Sequence, residues 1–171
     1  GCVDGGAIPV MVKELLARGR DAMAQRFIEN SCLESEVLLR HVLQRDRVEF
    51  YLDIDSQVET DQEKAFWSLV DRRLTGEPAA YIMQKREFYG LDFYVDGRVL
   101  IPRPESELLV EKALEYARTR PVSTIADLGT GSGAIAISLA LNLPQASLYA
   151  TDISLSALEV AAVNSRKHSV S

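Results

Sequence analysis

Thr124-Ile125-Ala126-Asp127-Leu128-Gly129-Thr130-Gly131-Ser132-Gly133 reads as a short apolar strand that ends in an acid and runs into a glycine-rich turn. Ala134 to Leu141 continues it as an apolar helix. Glycines let the backbone of such a turn come close to a ligand, and the helix start offers unpaired N–H groups beside it. Downstream, Ala146 to Thr151 reads as a second strand ending at Asp152, and Ser154 or Ser156 caps a helix reaching about Asn164. Strand, glycine turn, helix, strand, acid, helix is the opening of a doubly wound α/β sheet.

Upstream of this stretch, Leu100-Ile101-Pro102-Arg103-Pro104 cannot be helical before its second proline, because a residue preceding proline is pushed toward extended geometry. Pro104 suits a first helical turn, with Glu105 and Glu107 at the positive end and Arg118 and Arg120 at the negative end. Glu87 to Val95 is aromatic and β-branched, with Gly90 and Asp96-Gly97 as turn signals, and is expected to form a β-hairpin linking two domains.

The first 80 or so residues have helical periodicity instead. Met11, Val12, Leu15, Leu16, Met23 and Phe27 fall on one side of a helix that Arg18-Gly19-Arg20 would bend or divide. Ser31-Cys32-Leu33-Glu34 and Thr60-Asp61-Gln62-Glu63 have the form of capping boxes. The helices they open carry Leu38, Leu39, Val42 and Leu43, then Phe66, Leu69, Val70 and Leu74, as inner faces. Arg47 to Leu52 fits a short helix between them, and Gly76 and Pro78 are placed to end the last one. The expected fold class is α + α/β, in three parts: a helical bundle over 1–82, a hairpin linker over 83–100 and a partial Rossmann-like domain over 101–171.

The chain has 171 residues, 47% hydrophobic and 26% charged, an ordinary globular composition. No apolar run approaches the roughly 20 residues that span a bilayer. Gly1 to Ile8 lacks the basic flank and apolar core of a signal peptide, so the cytoplasm is the expected location. Cys2 and Cys32 have no metal-ligand spacing and cannot form a disulfide framework. A net charge of −6 argues against broad contact with a phosphate backbone, so neither nucleic-acid binding nor membrane association is expected.

Three ligand readings of Gly129-x-Gly131-x-Gly133 compete. A phosphate-binding P-loop needs a Gly-Lys-Ser/Thr ending, and no lysine lies between Lys112 and Lys167. A dinucleotide fingerprint fits Gly129, Gly131 and Ala134, with Asp152 about 20 residues on. Asp127 discriminates, since a carboxylate two positions before the first glycine would repel an anionic pyrophosphate. S-adenosylmethionine has no phosphate and carries a sulfonium and an ammonium, which that carboxylate attracts. In this reading the turn wraps the methionine portion and Asp152 accepts hydrogen bonds from the ribose hydroxyls. The blander alternative is a tight strand-to-helix turn flanked by solvated acids.

With these residues in place, the chain resembles the PrmC/HemK protein-(glutamine-N5) methyltransferases. The resemblance runs through Leu33-Glu34-Ser35-Glu36-Val37-Leu38-Leu39, Arg72-Arg73-Leu74-Thr75-Gly76-Glu77-Pro78 and Glu87-Phe88-Tyr89-Gly90. It continues through Leu100-Ile101-Pro102-Arg103-Pro104-Glu105-Ser106-Glu107, the Asp127-to-Gly133 turn, and Asp152 with Ala157-Leu158 and Asn164. It implies S-adenosylmethionine as cofactor, the glutamine of the Gly-Gly-Gln motif of peptide chain release factors as acceptor, and a release factor as protein partner. It places cofactor contacts at Asp127, Gly129, Thr130, Gly131, Ser132, Gly133 and Asp152, with Arg103 and Ser106 lining the pocket. Arg103 fits equally well as a helix-start arginine paired with Glu105 or Glu107. Ser106 stands where the family has threonine, and Gln84 where it has glycine.

The family's acceptor-gripping Asn-Pro-Pro-Tyr motif is not in this sequence, which contains no Asn-Pro dipeptide. An amide nitrogen is a poor nucleophile and must be oriented for in-line attack. No catalytic residue is therefore assigned, and no transfer is expected from this chain alone. A two-stranded parallel piece cannot bury both sheet faces, and helix 134–141 is expected to leave apolar surface bare, as in a fragment of a longer enzyme. Two further readings stand beside the methyltransferase. One is a non-catalytic module that binds release factor or cofactor; the other is an NAD-dependent oxidoreductase, which Asp127 disfavours. Trp67, Phe88, Tyr89, Phe93 and Tyr94 are expected to pack the domains together, Arg72-Arg73 to be a solvated helix face, and His41 and His168 to have no catalytic role.

Overall fold

The computed structural model describes residues 9–170, so Cys2 and the Gly1-to-Ile8 reading lie outside the described residues. Two compact units meet between Met83 and Gln84. No helix among the described residues is long and apolar enough to cross a membrane.

The first unit is helical: α1 (Val12–Ala24), α2 (Ser31–Leu43), α3 (Arg47–Leu52), α4 (Thr60–Leu74) and the single turn α5 (Ala79–Ile82). Val12, Leu15, Met23, Leu38, Leu39, Phe50, Phe66 and Val70 are fully buried together. Gly19 does not divide α1. The helix runs straight through it because a Cβ there would sit 2.5 Å from Phe66 Cζ and 2.6 Å from Ser35 Oγ. Absence of a side chain is what lets α1 approach α2 and α4. Phe27 is not on the inner face, since it lies past the helix at φ 57 and is exposed.

Neither expected capping box forms as read: α2 has none, and that of α4 is shifted. Asn30, in the left-handed region at φ 57, is the N-cap of α2, and the Glu34 carboxylate instead takes Nε and Nη2 of Arg73 on α4. At α4 the box begins one residue earlier, with Glu59 N–H donating to Gln62 Oε1 at 3.2 Å. The end of α4 follows the reading closely. Gly76 (φ 101) donates to the Arg73 carbonyl and Glu77 to the Arg72 carbonyl, the two bonds of a Schellman motif. Arg72 is exposed, as a solvated helix face requires, and holds Glu77 through two surface bonds of 2.8 and 2.6 Å, while Arg73 is half-buried against Glu34.

In the second unit β1 (Arg86–Phe88) and β2 (Leu91–Phe93) pair antiparallel around Tyr89-Gly90, whose φ values of 52 and 72 make a two-residue hairpin turn. Phe88 and Phe93 are buried with Val110, Ala134, Ile137 and Leu139. The hairpin is thus built into this unit's core rather than serving as a free link. Trp67, by contrast, packs on the helical unit's core.

Pro104 opens a 3-10 turn (Pro104–Ser106), and α6 (Glu107–Thr119) starts only after it. Glu107 Oε1 accepts the Tyr89 N–H at 2.9 Å, so this acid secures the hairpin turn. Then come β3 (Thr124–Leu128), α7 (Ala134–Asn142), β4 (Ser147–Thr151) and α8 (Leu155–Lys167), with β3 and β4 parallel and paired from Thr124↔Ser147 to Leu128↔Thr151. Sheet order and connection match the expected start of a methyltransferase-like domain after a helical region.

Bare apolar surface lies at the end of α7, where Leu141 is exposed, and more extensively on the strands and the segment after them. Ala134, Ala136, Ile137 and Leu139 of α7 are buried, while Leu128, Tyr149, Ile153 and Leu155 are exposed. Most of α7 is covered because α6, α8 and both strands pack around it. His168, given no role from sequence, lies against Phe93 and shares a 3.0 Å bond with the Asp92 carbonyl.

Candidate functional site

The site is assembled where β3 and β4 end side by side. Parallel pairing brings Leu128 opposite Thr151, so the two acids that bracket these strand ends, Asp127 and Asp152, come to one edge of the sheet. The glycine turn starts by folding back on β4. Gly129 and Thr130 both donate their N–H to the Thr151 carbonyl, at 2.8 and 2.9 Å, and Gly133 N–H closes on the Thr130 carbonyl at 2.9 Å. Gly129, Gly131 and Gly133 have φ of 77, 55 and 81, all in the region where a Cβ is strained.

Side chains lock the turn in place. Thr130 Oγ1 donates to Asp127 Oδ2 at 2.8 Å. Asp152 Oδ2 accepts the Gly131 N–H and its Oδ1 the Ser154 N–H, both at 2.9 Å. Those two backbone donors, Ser154 first and Gly131 second, hold the Asp152 carboxyl below the usual aspartate range. The turn therefore continues into α7 through Gly133, and Ser154 caps α8 by accepting the Ala157 N–H at 3.2 Å.

The expected cofactor residues thus divide in two. Along one turn, Asp127, Thr130 and Gly133 are joined by hydrogen bonds, Gly129 shares the Thr151 carbonyl with Thr130, Gly131 is bonded to Asp152, and the Ser132 carbonyl accepts from Asn164. Arg103 and Ser106 share the 3-10 turn, where Ser106 N–H donates to the Arg103 carbonyl at 3.0 Å, and no bond joins them to these groups among the described residues. Arg103 is exposed and forms no ion pair with Glu105 or Glu107 among the described residues, so the helix-start pairing is not what the structure shows.

A small organic cation fits the glycine turn. Above Gly129 and Gly131 a Cβ would meet no atom within 4 Å, so the backbone face is open to a ligand. The Asp152 carboxylate takes backbone donors from Ser154, Gly131 and Ile153, fewer than its roughly four lone-pair sites, which leaves capacity for a further donor. Among the described residues no group of three metal-ligating side chains occurs.

Two family models match the chain. Residues 14–83 match the PrmC N-terminal domain and residues 104–171 the methyltransferase small domain. In both of its units the chain is similar to the PrmC family. Relatives named release factor glutamine methyltransferase include one from Chlorobaculum tepidum, 43% identical over 94% of this chain and 56% of its own length. Those from Rhodopirellula baltica and Bordetella pertussis are 41% and 47% identical over 91% and 79% of this chain, and 54% and 50% of theirs. The chain spans about half the length of the curated relatives it matches.

Three site residues carry roles that the sequence reading did not assign. The Thr151 carbonyl anchors the turn, Ser154 shares Asp152, and Asn164 is fully buried against the Ser132 carbonyl. Only Asn164 left a signal: an amide on the otherwise apolar buried stripe Ala157, Val160, Ala161 of α8.

Proposed function

We propose that this chain holds the helical domain and the methyl-donor half of the site of an S-adenosylmethionine-dependent enzyme that methylates the Gly-Gly-Gln glutamine of peptide chain release factors. The observation that carries the donor assignment is the pair of carboxylates at the open glycine turn. Asp127 stands beside the turn where a phosphate-binding site would avoid negative charge. Asp152 keeps acceptor capacity for the ribose hydroxyls. The glutamine acceptor rests on the names of the relatives and on the Ile101-to-Glu107 segment.

Bound S-adenosylmethionine supplies an electrophilic methyl on a cationic sulfur. The residues of this chain bind and orient. Gly129 to Gly133 would hold the methionine portion against their backbone, with Thr130 fixing the Asp127 carboxylate in one rotamer. The fixed charge then needs no rearrangement when the cation arrives. Arg103 and Ser106 would line the pocket from the 3-10 turn, cytoplasmic release factor being the protein substrate.

Calorimetric titration of the chain with S-adenosylmethionine and, separately, with NAD tests the donor half. Saturable binding of S-adenosylmethionine with none of NAD is expected; binding of NAD alone overturns the assignment. For the acceptor, a peptide chain release factor is incubated with labelled cofactor and this chain fused to the part of the Chlorobaculum tepidum relative that lies beyond the matched region. Label on the Gly-Gly-Gln glutamine is expected, and label elsewhere only would remove that substrate.

A further inference from the structure

We infer that Asn164 is a positioning residue that sets the conformation of the glycine turn by tying it to the exit of the β-hairpin. Asn164 is on α8, is fully buried, and spends its whole carboxamide on backbone groups remote in sequence. Its Oδ1 accepts the Tyr94 N–H at 2.7 Å, and its Nδ2 donates to the Tyr94 carbonyl at 2.9 Å. The second Nδ2 hydrogen goes to the Ser132 carbonyl at 2.8 Å. One side chain therefore pairs with the Tyr94 backbone as a neighbouring strand would, and clamps the turn with what remains.

The clamp falls where the backbone is least restrained by sterics. Ser132 lies between Gly131 and Gly133, residues that reach positive and negative φ with similar ease. Asp152 fixes the N–H side of Gly131 at 2.9 Å, and Asn164 fixes the carbonyl one residue later. Without the second point the Ser132 peptide could rotate, and the turn would lose the geometry a ligand meets. Tyr94 is itself held, because its hydroxyl donates to Asp96 at 2.8 Å and Arg98 joins Asp96 to Glu159 of α8. The hairpin exit is thus a firm abutment for the clamp. Asn164 touches no ligand in this scheme and acts through Ser132 alone.

The inference rests on the S-adenosylmethionine reading for its functional consequence, and the test separates the two. Asn164→Asp and Asn164→Ser are compared with Val160→Ala, which removes buried apolar volume one helical turn from Asn164 on the same face of α8. Amide hydrogen exchange at Gly131 and Gly133, and S-adenosylmethionine affinity, are read for each. Exchange at both glycines is expected to speed up in the Asn164 variants, with about tenfold weaker binding, the effect of losing one well-placed hydrogen bond. Val160→Ala should lower stability with both readouts unchanged. Unchanged glycine exchange in the Asn164 variants, or equal loss of affinity in Val160→Ala, overturns the role.

If the wild-type chain binds no S-adenosylmethionine, the cofactor reading fails while the exchange result still decides whether Asn164 holds the turn. Should both Asn164 variants fail to fold, the wild type suffices. Ligand binding and the clamp stabilise one another by linkage, so saturating S-adenosylmethionine should slow exchange of the Asn164 side-chain amide. No change there refutes the coupling.

Discussion

Adding a methyl group at Gly131 and at Gly133 should separate binding from stability, although the two glycines are neighbours in one turn. Both have positive φ, so alanine at either place strains the backbone by about 1–2 kcal/mol. Their surroundings differ. A Cβ on Gly131 would meet no atom within 4 Å. On Gly133 it would lie 3.1 Å from Ile137 Cδ1, 3.3 Å from Ala161 Cβ and 3.5 Å from Ala161 Cα. Ile137 is buried and Ala161 presents backbone, so neither yields freely, and overpacking of this kind adds roughly 1–3 kcal/mol. Gly133→Ala should therefore destabilise by about 2–5 kcal/mol, and Gly131→Ala by only the strain of about 1–2 kcal/mol. In a domain of this size each kcal/mol lowers Tm by roughly 4–8 °C. Thermal unfolding should show the larger drop for Gly133→Ala. Titration with S-adenosylmethionine should show the reverse ranking, with Gly131→Ala at least about tenfold weaker, because its methyl occupies the space left for the ligand. Wild-type affinity in a folded Gly131→Ala protein would refute the placement of the ligand on that face. Equal Tm losses would refute the packing estimate.

Three further outcomes are expected. Asp152 has its pKa lowered by backbone donors, so its contribution is fully present above the unfolded aspartate pKa and is lost as pH falls through the lower folded value; the Gly131 amide chemical shift should titrate at that acid end, and Asp152→Asn should remove the titration. Gly19→Ala should destabilise the helical unit by about 2 kcal/mol despite alanine's better helix propensity, since the new Cβ collides with Phe66 and Ser35; a gain in denaturant midpoint would refute the close approach. Gln84 adopts φ 52, and among the described residues its side chain is held by a 3.5 Å bond to the Tyr94 hydroxyl, so Gln84→Gly should stabilise by roughly 0.5–1 kcal/mol, and a loss of stability would show that bond to matter more than the strain.

The Gln84 and Gly19 positions illustrate where reading the sequence works and where it stops. Gln84 was marked as unusual because it replaces a glycine, and its left-handed φ supplies the reason. Gly19 drew attention for the wrong reason. Local propensity treats a mid-helix glycine as a break, whereas its use here is set by Phe66 and Ser35, 47 and 16 residues further along. The capping boxes went astray similarly. Glu34 has the right spacing to reach back to its own helix, but Arg73 offers a stronger, charge-assisted partner. The Arg72 and Arg73 pairings needed the fold as well, since sequence gives a cation no address.

What the chain determined by itself are the features written in short-range chemistry. Helical periodicity, the Gly76 stop, the Tyr89-Gly90 hairpin turn and the run from Asp127 to Gly133 all depend on φ preference and on apolar spacing within a few residues. These were enough to give the order of elements along the chain and the glycine turn between β3 and α7. Tertiary structure alone decided how that site is held. Strand pairing brings Asp152 onto Gly131, 21 residues away, and the packing of α8 brings Asn164 onto Ser132, 32 residues away. A side chain's hydrogen-bond capacity can be read from its type, but its partner is fixed only once burial removes water as the alternative.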